Sequence, residues 1–159
     1  MKTIKHFEEA YFKSKILLFG EYGIIQDSMG LSIPYDNFQG KLTYEPGDNK
    51  ANDKKSNKAL KSFWQYLKQL DDKGELMASL DLKQFETDIK EGIHFESNIP
   101  QGFGVGSSGA VCAAVYNRYV KDGITKENIT KDDLLQLKRM LAQMESYYHG
   151  TSSGMDPLI

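Results

Sequence analysis

A glycine-rich stretch at residues 100–111, PQGFGVGSSGAV, constrains the fold of this chain more than any other feature of the sequence. Residues 92–99 before it alternate as a β-strand does, and residues 109–120 after it are small and apolar, which predicts a helix. The first amides of a helix lack internal partners and lie at the positive end of its dipole. Because glycines have no Cβ, a phosphate oxygen can approach such amides closely. The stretch therefore predicts a phosphate-binding loop in a nucleotide site.

Several nucleotide-binding motifs have a similar glycine-rich pattern and must be distinguished from one another. Residues 104–109 satisfy the G-x-G-x-x-G pattern, but residues 124–128, near the place where a dinucleotide fold needs a second strand with an acidic end, read as a loop. The V-A-I-K, H-R-D and D-F-G motifs of protein kinases do not follow, and no Gly-Lys-Ser/Thr of a P-loop is present. From this stretch alone, a tight turn packed for its shape remains the alternative.

Composition and charge narrow the class of protein. The 159 residues are 40% apolar and 26% charged, as in one soluble globular domain, and the net charge of −2 gives no reason to expect nucleic acid as a partner. Three histidines and one cysteine provide no zinc or disulfide framework. Residues 1–7 lack the apolar core of a signal peptide, and no run approaches the ~18 apolar residues of a membrane span. We therefore expect a cytoplasmic protein without a membrane partner, with Cys112 as a small core residue.

The N-terminal third of the chain predicts strands, turns and one long loop. Residues 12–19 end in a continuous apolar run, which predicts a strand buried on both faces. The run breaks at residues 20–23. Residues 31–34 and 40–44 predict two further short strands. The polar residues 45–57, which include proline, glycine and asparagine, predict an exposed mobile loop.

Periodic apolar residues predict helices in the remainder of the chain. Residues 57–70 carry apolar side chains at steps of three and four, which predicts an amphipathic helix with Trp64 in the core. Residues 76–89 fit a helix less clearly. Thr130, three residues before Asp133, predicts a capping box at the start of another helix.

Two carboxylates lie in and after this last helix. Glu145 falls at the border of the apolar face, where it either points into a cleft or is solvated. Residues 149–156, HGTSSGMD, form a small-residue loop that presents Asp156. That aspartate can cap a following helix or deliver a general base, and the local sequence leaves both open.

Three motifs along the chain, at residues 15–21, 100–110 and 149–156, resemble motifs of the GHMP family of small-molecule kinases, in the family's order. Residues 100–110 look like the family's phosphate loop, P-x-G-x-G-L-G-S-S-A-A, with Val105 for leucine and Gly109 for alanine. Residues 15–21, KILLFGE, look like its first motif, K-x-I-L-x-G-E. Residues 149–156 look like the H-G-x-P-S-G-x-D of mevalonate kinases, in which a proline stands where this chain has a serine.

The resemblance implies the cofactors ATP and Mg²⁺ and roles for the motif residues. The implied ATP-binding residues are Pro100, Gly102, Gly104, Val105, Gly106, Ser107, Ser108 and Gly109. The implied magnesium ligands are Glu145, four residues before His149, and a hydroxyl of Ser108 or Ser107. Asp156 is the implied catalytic base. Lys15 beside it would hold its negative charge and stabilise the developing alkoxide or the γ-phosphate.

The resemblance also implies an α+β fold in which helices pack against a mixed β-sheet. The family has a left-handed β-α-β unit, against the usual right-handed rule, and we expect it at residues 92–120. Residues 1–159 would form the N-terminal, ATP- and substrate-binding domain of such a kinase, incomplete at its C-terminus and without the second domain. We expect no useful turnover from these residues alone, and a second copy of the chain, in a homodimer, is one candidate partner.

The implied substrate is a small-molecule alcohol. Residues 149–156 favour mevalonate, which would be converted to 5-phosphomevalonate in isoprenoid precursor synthesis. Glu21 and Tyr22 are the implied substrate-binding residues, yet Gly-Glu-Tyr at residues 20–22 is more typical of phosphomevalonate kinases. Phosphomevalonate kinase or another GHMP sugar or alcohol kinase is therefore one alternative, and a non-catalytic binding protein with the GHMP fold is a second.

Overall fold

Three strands and four longer helices make up the described part of the structure. This computed structural model describes residues 10–19, 31–124 and 129–158. In chain order the elements are β1 (Phe12–Phe19), β2 (Leu31–Thr43), α1 (Lys50–Asp72), α2 (Leu82–Glu91), β3 (His94–Ser97), α3 (Ser107–Tyr119), α4 (Lys131–His149) and a short 3-10 helix (Asp156–Leu158). The predicted α+β class is confirmed.

The sheet has the strand order β1-β2-β3. β2 pairs with both neighbours in antiparallel register, for example Ile16 with Ile33 and Thr43 with His94. The two short strands predicted in the β2 region are one continuous strand. Its pairing with β1 shifts register so that residues 36–38 are skipped, which lets the strand continue through them. All pairings between the described strands are antiparallel. The parallel pair of a mixed sheet and the left-handed β-α-β unit therefore stay predictions.

β1 is less buried than its apolar run predicts. Ser14 and Lys15 are buried, but Leu18 is 51% exposed and Phe19 is 61% exposed. β1 is an edge strand of the described sheet, and the loop before α3 contacts it near Lys15, so the described elements leave its C-terminal half uncovered. The prediction that this strand is buried on both faces is wrong for that half.

Helix α1 begins within the region predicted to be an exposed loop. The Asn49 side chain accepts a hydrogen bond from the Ala51 amide at 3.0 Å and caps the helix, which begins at Lys50. Lysine and alanine are good helix formers, so a polar composition does not prevent a helix here. The predicted loop over residues 45–57 is therefore wrong for its second half. Trp64 packs against the core as predicted, and its Nε1 donates to the Leu82 carbonyl at 2.9 Å.

The helices and the sheet enclose one hydrophobic core, whose largest fully buried side chains include Phe63, Phe85, Leu67, Ile93 and Met144. The predicted burial of Cys112 is confirmed, because its side chain is fully buried within this core. The predicted capping box of α4 is also present, with Thr130 and Asp133 exchanging side-chain to backbone hydrogen bonds. None of the helices in the described ranges has the length and apolar character needed to cross a membrane.

A buried carboxylate joins α2 to α3 beneath this core. Asp88 is 1% exposed and accepts hydrogen bonds from Arg118 at 2.7 and 2.8 Å and from the Tyr119 hydroxyl at 2.9 Å. Gln84 donates to the other carboxylate oxygen at 2.6 Å. Burial acts to raise the pKa of Asp88, but the hydrogen bonds from Arg118, Gln84 and Tyr119 outweigh it and hold that pKa below its ordinary value.

We expect Asp88→Asn to lower the free energy of unfolding at pH 7 by about 3 kcal/mol, because it removes the charged carboxylate that pairs with the largely buried guanidinium of Arg118. The folded-state pKa of Asp88 lies below the unfolded value of about 3.9, so its contribution is present above that pH and is lost as the pH falls through the folded pKa. The difference between parent and variant should therefore shrink below about pH 4, which urea unfolding at pH 7 and pH 3 measures.

Glu86→Gln on the same helix is the matched control, because Glu86 pairs with Lys90 in an exposed i,i+4 ion pair. That change should alter the free energy of unfolding by less than about 0.5 kcal/mol. Equal losses from Asp88→Asn and Glu86→Gln would contradict the assigned role of the buried carboxylate.

Candidate functional site

The glycine-rich loop lies between β3 and α3, in the strand–loop–helix arrangement that the sequence predicts. Gly106 precedes α3 with a φ of +85°, and Gly102 and Gly104 also have positive φ. A Cβ at Gly102 or Gly104 would meet no atom within 4 Å, so that side of the loop is open. Among the contacts of the described residues, the backbone amides of residues 104–109 have no acceptor. Such a row of amides at a helix N-terminus is suited to an anion.

Strand β1 delivers Lys15 to this loop. The Lys15 amide donates to the Val105 carbonyl at 3.0 Å, which fixes the loop against the strand. The Lys15 side chain crosses Gly106 so closely that a Cβ there would lie 2.8 Å from Lys15 Cγ. Lys15 is only 6% exposed, and its Nζ lies 2.9 Å from Oδ1 of Asp156. A buried ammonium needs such a counter-charge, so these two residues are placed as a pair.

Asp156 begins the short 3-10 helix and packs against α3 at Gly109. A Cβ at Gly109 would lie 2.9 Å from the Asp156 carbonyl carbon and 3.0 Å from Pro157 N. Asp156 therefore contacts the residue that follows Ser108 in the phosphate loop. The chain brings together the lysine, the loop and the aspartate as the family resemblance implies. The glycine that replaces the family's alanine leaves room for this contact.

Helix α4 supplies a second carboxylate on the other side of Ser108. Glu145 is 2% exposed, so it points inward rather than into solvent. Its Oε1 accepts a hydrogen bond from Ser108 Oγ at 3.1 Å, and its Oε2 accepts one from Ser152 Oγ. His149 Nε2 lies 2.9 Å from Ser108 Oγ, within hydrogen-bonding distance.

The environment of Glu145 works against its charge. Burial raises its pKa above the ordinary value, and the nearby charge of Asp156 acts in the same direction. The hydrogen bonds from Ser152 and Ser108, and the charge of His149, offset only part of this rise. A cation at Glu145 would remove much of the cost of keeping an ionised carboxylate inside the protein.

The residues fit a magnesium ion only when other ligands complete its shell. The described residues contain no group of three or more histidine, cysteine, aspartate or glutamate side chains that could hold a metal ion. Glu145 and Ser108 instead offer one carboxylate and one hydroxyl. Magnesium prefers oxygen ligands and is commonly held by one or two carboxylates, with phosphate oxygens and water completing its shell. This donor set therefore fits a magnesium ion that arrives with a phosphate compound.

A cavity of about 800 Å³ opens beside the phosphate loop. It extends from the first turns of α1 past β3 to the start of α3 and the end of α4, and its lining includes Asn49, Ser56, Phe95, Ser107, Ser108 and His149. Leu60, Val111 and Tyr148 add apolar wall. Its volume is within the range of small-molecule sites. The sequence prediction missed the α1 side of the cavity because it assigned those residues to a loop.

The sequence prediction also missed a contact of Ser152. That position was notable only as a departure from the family's proline, whereas the structure places its hydroxyl on Glu145. No periodicity marks a loop residue of this kind. Glu21 and Tyr22, the predicted substrate-binding residues, lie outside the described residues, and their roles stay predictions.

An α+β domain with an open glycine-rich helix start, a lysine paired with an aspartate, and a buried glutamate is suited to binding a phosphate compound. The family model described as GHMP kinases N terminal domain matches residues 58–159. The chain belongs to the GHMP kinase family, and the resemblance predicted from its motifs is confirmed at that level. No curated protein and no solved structure matches the chain significantly. The matched segment contains the phosphate loop, Glu145 and Asp156 but not Lys15.

We expect Gly109→Ala to lower the thermal unfolding temperature. Alanine is favoured over glycine in a helix by about 1 kcal/mol, so propensity alone would raise it. The new Cβ would, however, meet backbone atoms of Asp156 and Pro157 at 2.9–3.0 Å, and the 3-10 helix would have to move away. Asn117→Ala, at an exposed position of α3, is the control and should be neutral or slightly stabilising. A rise in unfolding temperature for Gly109→Ala would show that Asp156 does not pack as described.

Proposed function

We propose that this protein is an ATP-dependent kinase that phosphorylates a small-molecule alcohol, with mevalonate as the favoured substrate. The residues of this chain would form its N-terminal, ATP- and substrate-binding domain, and we expect it to act in the cytoplasm. The observation that carries the proposal is the contact between the Lys15–Asp156 ion pair and the phosphate loop. The chain's membership of a kinase family supports phosphoryl transfer.

The phosphate loop and the adjoining cavity support a nucleotide as the phosphoryl donor. The amides of residues 104–109 face no competing acceptor among the described residues, so they are free to bind phosphate oxygens. The cavity next to Ser107 and Ser108 has apolar wall for the remainder of the molecule. A row of unpaired amides alone would suit any phosphate, but its combination with a large adjoining cavity favours ATP.

Ser108 and Glu145 would hold the magnesium ion of the nucleotide. Bound magnesium neutralises charge that develops on the transferring phosphate group. The protein contributes the placement of the two oxygen ligands, since Ser108 Oγ and Glu145 Oε1 are 3.1 Å apart across the interface of α3 and α4. His149, within hydrogen-bonding distance of Ser108, keeps that hydroxyl oriented.

Asp156 would act as the general base. Its carboxylate accepts the proton of the substrate hydroxyl, which makes the oxygen a better nucleophile toward the phosphorus atom. The Lys15 ammonium, 2.9 Å away, stabilises the negative charge of Asp156 before transfer and of the alkoxide or γ-phosphate during transfer. Both residues are held by backbone packing at Gly106 and Gly109, so little reorganisation is needed.

Phosphomevalonate kinase is the second candidate. The Gly-Glu-Tyr sequence at residues 20–22 favours it, whereas residues 149–156 favour mevalonate kinase. A non-catalytic binding protein is disfavoured, because a sensor of small molecules has little need of Lys15, Glu145 and Asp156 together.

We expect Asp156→Asn in the full-length protein to lower kcat by about 10³-fold, because the amide cannot accept the substrate proton. The affinity for ATP should change by less than about threefold, since the phosphate loop is untouched. Initial rates with MgATP and a panel of mevalonate, phosphomevalonate, homoserine and galactose measure kcat, and calorimetry measures the affinity.

Asp132→Asn, in the exposed first turn of α4, is the matched control and should keep the parental rate. A kcat for Asp156→Asn within a few-fold of the parent would remove Asp156 from the role of base. Absence of phosphoryl transfer to every alcohol in the panel by the parent, despite ATP binding, would favour the binding protein.

A further inference from the structure

We propose that Ser152 is a positioning residue, which links the metal-binding Glu145 carboxylate by hydrogen bonds to the loop that carries the proton-accepting Asp156. This inference rests on the proposed function, because it assigns Ser152 a part in the magnesium-dependent binding of a nucleotide. It concerns a position at which the chain departs from the family pattern that it resembles.

The loop after α4 folds back along the helix that precedes it. The chain turns at Gly150, which has a φ of +74°, and reaches Gly154 with a φ of +70°. At Gly154 the loop packs so tightly on α4 that a Cβ would lie 2.1 Å from the Lys138 carbonyl oxygen and 2.8 Å from the Ala142 amide nitrogen. Ser152 lies between these two glycines, and its hydroxyl faces Glu145, which belongs to α4.

The hydrogen bonds of Ser152 fix the direction of its hydroxyl proton. Its Oγ accepts a hydrogen bond from the Gly154 amide at 3.0 Å and donates to Glu145 Oε2. A serine hydroxyl has one proton, so the bond to Glu145 uses its whole donor capacity. The other carboxylate oxygen is already engaged by Ser108 at 3.1 Å. With a donor on each oxygen, the carboxylate cannot rotate without breaking a hydrogen bond.

No other side chain of the returning loop replaces this contact within the described residues. Ser153, the next residue, accepts a hydrogen bond from the Met155 amide at 3.3 Å instead of contacting Glu145. A proline at position 152, as in the resembled motif, has no hydroxyl to donate. Through the Gly154 amide, Ser152 connects Glu145 to the chain segment that places Asp156 beside Lys15.

Loss of the Ser152 hydroxyl would leave one oxygen of the buried Glu145 carboxylate without a donor among the described residues. The carboxylate could then turn away from Ser108, and the two oxygen ligands would no longer be held at a fixed separation. Outer-shell partners of metal ligands typically contribute 10- to 100-fold to metal affinity. We therefore expect Ser152→Ala to weaken the gain in nucleotide affinity that magnesium provides by about 10-fold.

The test is calorimetric titration of ADP into the full-length protein, once with Mg²⁺ and once with a chelator. The dissociation constant measured with the chelator, divided by the one measured with Mg²⁺, gives the gain in affinity that the metal provides. This ratio separates that gain from the binding of the phosphates alone. Ser152→Ala should lower this ratio about 10-fold and leave the metal-free affinity unchanged. Ser152→Thr, which keeps the hydroxyl, should retain the parental ratio.

Ser146→Ala is the matched control. Ser146 neighbours Glu145 in sequence, but its hydroxyl donates to the Ala142 carbonyl at 2.8 Å within α4. A ratio for Ser152→Ala equal to that of Ser146→Ala, or an equal loss in Ser152→Thr and Ser152→Ala, would overturn the inference while the proposed function stands. A parent that binds no ADP under either condition would overturn the proposed function and this inference with it.

Discussion

The ion pair between the buried Lys15 and the half-buried Asp156 is the interaction on which the rest of the site depends. It joins an edge strand near one end of the chain to a short helix near the other, across the start of α3. An ammonium group with 6% exposure is costly without a nearby carboxylate, so the buried position of Lys15 requires Asp156 to be in place. The pair thereby fixes where β1, α3 and the C-terminal loop meet.

The meeting point is possible because α3 begins with small residues. Lys15 crosses Gly106 and Asp156 packs on Gly109, at distances that leave no room for a Cβ at either position. The same absence of side chains leaves the helix amides uncovered. Close packing of the charged pair and exposure of the anion-binding amides therefore have one cause. The wide cavity beside Ser107 and Ser108 lies where these features converge.

Features set by local sequence were predictable. The strand–loop–helix around residues 100–111, the capping box at Thr130 and the packing of Trp64 all follow from periodicity or from turn chemistry within a few residues. Features set by distant pairing were not. The register shift that makes β2 one strand, and the partial exposure of Leu18, depend on which strands are neighbours, and single-chain periodicity carries no information about that.

The features of the candidate site also fall into those set by local sequence and those set by distant contacts. The amides of the phosphate loop follow from the glycines, but the pairing of Lys15 with Asp156 came from the family resemblance, since 141 positions separate them in the sequence. Ser152 was notable only as a mismatch to that family, and its contact with Glu145 needed the fold of the returning loop. The family resemblance therefore predicted the Lys15–Asp156 pair, which periodicity could not. The structure revealed the contact between Ser152 and Glu145, which the resemblance could not predict.

The buried Cys112 gives this domain an intrinsic reporter of its own opening. Burial in the core, with the charge of Glu145 as a smaller contribution, raises the pKa of its thiol well above the ordinary value. Thiolates rather than thiols react with alkylating agents, so the folded domain protects this sulfur both by covering it and by keeping it protonated. Because the sequence contains one cysteine, the rate of its alkylation measures how often the core around the buried face of α3 opens. No engineered label is needed.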